Sequence, residues 1–106
     1  MGFADKLAGL PPADHLARIE LEGPQGEAAV IENRPGSQGS LRVYQYLVLK
    51  HAAIDTAAAA EGLLLFAEHT ADARAHPGKH PNIDRLLQIQ ADGRAWSARL
   101  VPQAKP

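Results

Sequence analysis

The period of the hydrophobic pattern changes several times along the 106 residues, and each change predicts an element. Residues 3–9 read as one or two helical turns, stopped by Gly9 and then by Pro11-Pro12. From Asp14 to Glu22 the pattern alternates, with Leu16, Arg18 and Glu20 on one side and Ala17, Ile19 and Leu21 on the other. That is the period of a half-buried strand. Gly23-Pro24-Gln25-Gly26 supplies a turn, and Glu27 to Glu32, carrying Val30 and Ile31, supplies a partner strand. Together they predict an N-terminal hairpin.

Asn33 to Ser40 is a loop by its Pro, Gly and Ser content. Leu41 to Lys50 fits two elements. Val43, Tyr44, Tyr46 and Val48 favour a strand, whereas an N-cap at Ser40 and the pairs Val43/Leu47 and Tyr44/Val48 favour a helix, which is the preferred reading. A second helix opens at Asp55 or Thr56 and runs to about Ala75, with Ala59, Leu63, Phe66, Ala67 and Thr70 on its apolar side. Gly62 either permits close packing or weakens the helix by about 1 kcal/mol. Pro77-Gly78 stops it, and His80, preceding Pro81, should be extended. Leu86 to Gln90 and Arg94 to Val101 flank Ala91-Asp92-Gly93, a hairpin signal. The expected fold is α+β in the order β-β-α-α-β-β, two hairpins flanking a helical segment, as a four-stranded antiparallel sheet with helices on one face. The competing architecture is a three-stranded meander, one long helix and a C-terminal hairpin. Residues 1–106 should form a single domain, with 1–13 and 102–106 peripheral.

Composition narrows the functional classes. A net charge of -1 lacks the basic field of a nucleic-acid binder. The absence of Cys removes disulfides, thiolate metal sites and a cysteine nucleophile, and fits a reducing cytoplasm. Residues 1–6 show no signal-peptide pattern. The most apolar stretch, Ala57 to Ala67, is interrupted by Glu61 and is far short of the ~18–20 residues of a membrane span. No membrane or nucleic-acid partner is expected.

Histidine is distributed unevenly: three of the five fall between His69 and His80. On one helix, His69, Asp72 and His76 lie within a stripe of about 60°, and His80 could swing back as a fourth ligand. Such an N/O set suits zinc, iron or nickel. No named metal motif is matched, however, and the same residues suit an ordinary solvated helix face, with Asp72 and His76 as an i,i+4 pair. Arg74 and Lys79 would repel a cation unless they point away.

A second candidate is the Gly36-Ser37-Gln38-Gly39-Ser40 loop flanked by Arg34 and Arg42. Backbone N–H groups at a helix N-terminus, with arginine, bind anions. The loop lacks the Lys-Ser/Thr of a phosphate-binding Walker motif and the parallel strands of a dinucleotide site, and a plain connector explains it equally. Catalytic constellations are thin: Ser37, Ser40 and Ser97 have no nucleophile context, and Glu68 with Asp72 is no acid/base pair without burial. Without a basic groove, Tyr44, Tyr46 and Trp96 read as core or interface.

The segment from Glu61 to Leu87, which includes Glu68-His69-Thr70-Ala71-Asp72 and Pro77-Gly78-Lys79-His80-Pro81-Asn82, together with Ser40-Leu41-Arg42-Val43-Tyr44, resembles a family of small uncharacterised bacterial proteins, a domain of unknown function. The resemblance covers nearly the whole chain. It implies a bacterial cytosolic protein and brings no known activity or site residues.

The functional expectation is a non-enzymatic binding or self-associating protein, with exposed Leu64 and Leu65 as a homo-oligomer contact. The alternatives are a metal-binding protein, or a metal-dependent hydrolase, using His69, Asp72, His76 and His80, and small-anion binding at Arg34, Gly36, Ser37, Gly39, Ser40 and Arg42.

Overall fold

A computed structural model describes residues 2–104 of the chain. Its elements are α1 (Phe3–Ala8), β1 (Leu16–Glu22), β2 (Ala28–Glu32), α2 (Gln38–His51), α3 (Thr56–Leu65), α4 (Glu68–Ala75), α5 (Pro81–Asp92) and β3 (Ser97–Pro102). β1 is the middle strand of a three-stranded antiparallel sheet, in the order β2-β1-β3. The predicted first hairpin is present, with Ile19 opposite Ile31 and Leu21 opposite Ala29. Leu100 and Ala98 of β3 meet the same two residues from the other side. These positions form the apolar face that the helices cover, and Arg18, Glu20 and Arg99 form an ion-paired outer face.

The strict alternation expected of β1 breaks at its start. An irregularity between Leu16 and Arg18 inserts a residue into the ladder. It turns Leu16 into the core, on the same side as Ile19, although the alternation placed it with the polar set.

The expected four-stranded sheet is incorrect. Leu86 to Gln90 lies inside α5, so the second hairpin does not exist. Two signals in the segment explain the helix. Pro81 occupies its first turn, where a missing N–H is harmless, and Ile83, Leu86 and Ile89 recur at helical spacing and are all buried. Asp92-Gly93, read as a hairpin turn, is the helix end: Gly93 adopts φ 73° and its N–H bonds to the Ile89 carbonyl. A left-handed glycine serves a tight hairpin and a helix C-terminus equally well, so the dipeptide alone does not distinguish them. The competing architecture fits better in having a three-stranded sheet, but its third strand would be residues 41–50, which are helical as the preferred reading has it, and its C-terminal hairpin is absent as well.

Asp55 does cap α3, its carboxylate accepting from the Ala58 N–H at 2.8 Å. The long helix predicted from there to Ala75 is divided at Phe66-Ala67. Ala67 takes φ 51° and ψ -119°, a conformation rarely adopted by a residue with a side chain, and the Thr70 hydroxyl accepts the role of closing the joint by donating to the Leu63 carbonyl at 2.6 Å. The division lets Phe66 and Thr70 both turn inward. Leu65 is then half-buried against the core, whereas Leu64 stays 70% exposed.

Gly62 proves to be a close-packing residue. A Cβ there would stand 2.7 Å from a Leu86 methyl and 2.9 Å from a Leu47 methyl, both buried, so the missing carbon lets α3 pack closely against α2 and α5. Tyr44 and Trp96 are core residues. The segment expected to be peripheral contributes Leu10 and Ala13 to the core, and Gln103, in the expected tail, donates its N–H to the His15 carbonyl. Lys105 and Pro106 lie outside the described residues. Among the described residues no helix is long and apolar enough to cross a membrane.

Candidate functional site

The first turns of α2 and α5 face one cleft of about 500 Å3. Gly36, Gln38, Gly39 and Ser40 form one wall, and Lys79, His80, Pro81 and Asn82 form the opposite one. Phe3 and Leu7 of α1, with Phe66, His69 and Ile83, supply the apolar part. The two candidate motifs of the sequence, separated by about thirty positions, therefore meet across a single depression.

Each wall has a local cause. Ser37 occupies the N-cap of α2, but its hydroxyl donates to the Glu32 carbonyl instead of capping the helix. The N–H groups of Gly39 and Ser40 consequently have no protein acceptor among the described residues. On the other side, Pro77-Gly78 ends the α4 segment, Lys79 donates its N–H to the His76 carbonyl, and His80 occupies the N-cap position of α5 without a side-chain cap bond. Asn82 follows Pro81, and its backbone N–H likewise has no acceptor among the described residues. Two helix N-termini, each carrying about half a positive charge, thus open on the same cleft.

The histidine cluster is organised around Asp72. His80 donates from Nε2 to Asp72 Oδ2 at 2.6 Å, and the Lys79 ammonium reaches the same oxygen at 2.9 Å. His76 Nε2 stands 3.8 Å from the other carboxylate oxygen. The His80 hydrogen bond, followed by that of Lys79, holds the Asp72 carboxyl down to about 2. His69 takes no part in that group. Its ring meets His80 at 5.8 Å between centroids and Phe3 edge-on at 5.0 Å, while Phe3 stacks on Phe66 at 5.5 Å. Glu68 fixes this corner by accepting the Phe3 N–H at 2.8 Å, and its own backbone N–H, followed by that of Phe3, lowers the Glu68 carboxyl.

The structure thus brings His80, His76 and Asp72 together and sets His69 beside them. Lys79 does not point away from the carboxylate but pairs with it. Among the described residues no three His, Asp or Glu side chains are grouped to hold a metal ion. Of the anion candidates, Gly36, Gly39 and Ser40 line the cleft. Ser37 is turned to Glu32, Arg34 is exposed outside the cleft, and Arg42 donates to the Leu10 and Pro11 carbonyls, which ties residues 10–12 to α2. The sequence reading missed Phe3, Leu7, Phe66 and Asn82. Only Pro81, as a helix opener that aligns Lys79 to Asn82 at an N-terminus, carried a signal for any of them.

These features describe a small α+β protein with a three-stranded sheet, a helical layer and one cleft whose polar rim is rich in donors. The chain belongs to a bacterial family: residues 3–100 match the family described as "Uncharacterized protein conserved in bacteria (DUF2322)", in agreement with the resemblance seen in the sequence. No curated protein and no solved structure matches the chain significantly.

Proposed function

We propose that this is a non-enzymatic cytoplasmic binding protein whose cleft takes a small organic anion, the charged group at the α2 and α5 N-termini and an apolar group against Phe3, Phe66 and Ile83. The observation that carries the reading is the meeting of Gly39, Ser40, Lys79 and His80 around one cavity of about 500 Å3, a volume within the range of small-molecule sites. The free N–H groups and the ammonium favour an oxygen-rich acceptor. The cysteine-free composition supports the cytoplasmic assignment.

Titration of 15N-labelled protein with inorganic phosphate and with phenyl phosphate tests it. Amide resonances of Gly36, Gly39, Ser40 and Lys79 should shift together, more strongly for phenyl phosphate, and Lys79→Ala should weaken binding roughly 10-fold. Unmoved resonances at millimolar ligand would end this reading. Self-association is the second reading, supported by Leu64, which is 70% exposed on α3. Light scattering at high micromolar concentration that gives a strict monomer removes it.

A further inference from the structure

Behind the α5 wall of the cleft lies a cation without a carboxylate. Arg85 stands one helical turn after Pro81, and its guanidinium is 5.6 Å from the centroid of the Tyr44 ring and 5.3 Å from that of Trp96. Both rings belong to the core. Among the described residues Arg85 forms no ion pair. Its Nη1 donates instead to the Tyr44 hydroxyl at 3.1 Å and to Asn82 Oδ1 at 3.0 Å. The Tyr44 hydroxyl donates onward to the Asn82 backbone carbonyl at 2.6 Å. Both oxygens of Asn82 are therefore held from the core side.

This arrangement fixes the orientation of the Asn82 amide. A guanidinium is only a donor, so the atom facing it must be the carbonyl oxygen. The end left over is the NH2 group, which has no acceptor among the described residues, on a residue that lines the cleft. Rotation of the amide would set NH2 against Nη1, two donors facing each other, so the NH2 group is held in place. Tyr44 and Trp96 in turn limit the swing of the guanidinium, which lies within cation–π range of both core rings.

We propose that Asn82 is the specificity-determining donor of the cleft and that Arg85 is its positioning residue. The Asn82 NH2 group and the Lys79 ammonium bind the oxygens of one oxyanion, a phosphate ester or a carboxylate, and the preset amide rejects ligands that present donors there. This rests on the cleft being a ligand site, as proposed above. A side-chain NH2 without an acceptor among the described residues, on a residue that lines the cleft, discriminates against ligands that present donors to it.

The test uses the intact chain with inorganic phosphate, phenyl phosphate and benzoate as probes, followed by NMR. In the wild type the side-chain NH2 pair of Asn82 should shift in step with the Lys79 amide; comparison of phenyl phosphate with benzoate separates the two oxyanion classes. Asn82→Asp keeps the shape and the Arg85 contact but replaces the donor by a negative oxygen, and should weaken the preferred probe by about 10-fold or more. Asn82→Ala serves as the second variant and should weaken it by several-fold. Arg85→Lys, which loses the planar fork, should weaken binding about 3-fold in the wild type and not at all in the Asn82→Ala background, because it acts through Asn82. A purely structural role for Arg85 would instead weaken both backgrounds alike. If the probes bind in the cleft but Asn82→Asp binds as the wild type does, the assignment of Asn82 is overturned and the cleft reading stands. If no probe shifts any cleft resonance, both are overturned.

Discussion

Two carboxylates in this molecule gather the same kinds of partner and lead to different conclusions. Glu61 on α3 accepts from Tyr46 at 2.9 Å, Lys50 at 3.0 Å and His51 at 2.9 Å, all from α2. Asp72 on α4 has His80, Lys79 and His76 around it. Each carboxyl is held down to about 2, chiefly by a histidine hydrogen bond. The Glu61 group closes a seam between two packed helices and does not line the candidate cleft. Two partners of Asp72, Lys79 and His80, line the candidate cleft, where backbone and side-chain donors have no acceptor among the described residues. A lowered carboxyl and a ring of donors are therefore not themselves the mark of a site. The proposed binding reading rests instead on the unpaired donors beside a cavity.

The largest expected effect belongs to the seam. Gly62→Ala introduces a Cβ at 2.7 Å from Leu86 and 2.9 Å from Leu47, and should destabilise the fold by about 2 kcal/mol in chemical denaturation, with the Glu61 group displaced. A stability within a few tenths of wild type would show that α3 can move away without loss.

Glu61→Gln should come next, with a loss of about 1–2 kcal/mol at neutral pH and no change in phenyl phosphate affinity. Its acid profile sharpens the contrast. Because folding lowers the Glu61 carboxyl from 4.5 to about 2, the stability it contributes is full above about 4.5 and disappears as the pH falls toward 2. The variant should flatten the stability curve in that window. An unchanged slope between pH 4.5 and 2 would mean that the three donors do not hold the carboxylate in solution.

Asp72→Asn should have the smallest effect on stability and the opposite signature: an unfolding midpoint nearer to wild type than that of Glu61→Gln, and phenyl phosphate binding tightened about 3-fold, since Lys79 and His80 lose their resident counter-charge. Weaker binding in this variant would show that Asp72 orients the rim rather than competing with the ligand.

The first hairpin, α2 and the Asp55 cap were legible in the sequence because local periodicity and a capping side chain decide them. α5 was not, because Pro81 and Gly93 carry its boundaries while Asp92-Gly93 signals a hairpin with equal force. The inward turn of Leu16 depends on a ladder irregularity, and the division of α3 from α4 depends on Ala67, which has no sequence mark of its own. Gly36–Ser40 and His69–His80 stand out separately in the sequence, as an anion and a metal candidate, and only some residues of each line the cleft. Their meeting was not, since it depends on how α2, α4 and α5 pack and on Phe3 reaching His69. Asn82 and Arg85 fall between the expected helix stop at Pro77-Gly78 and the expected strand from Leu86, where nothing singles them out, and only tertiary contact with Tyr44 distinguishes them.

The placement of β1 between its neighbour in sequence and the last strand has a kinetic consequence. The β1–β2 pairing closes a loop of a few residues, but the Gln103 side chain reaches the Leu16 carbonyl across 87 positions. Closing so distant a contact demands more chain entropy and slows the search for it. During synthesis the hairpin and all five helices emerge before β3, so until then one edge of β1 stays unpaired, with Ile19 and Leu21 beside it. The nascent chain therefore carries a temporary adhesive edge, which the final six-residue strand seals.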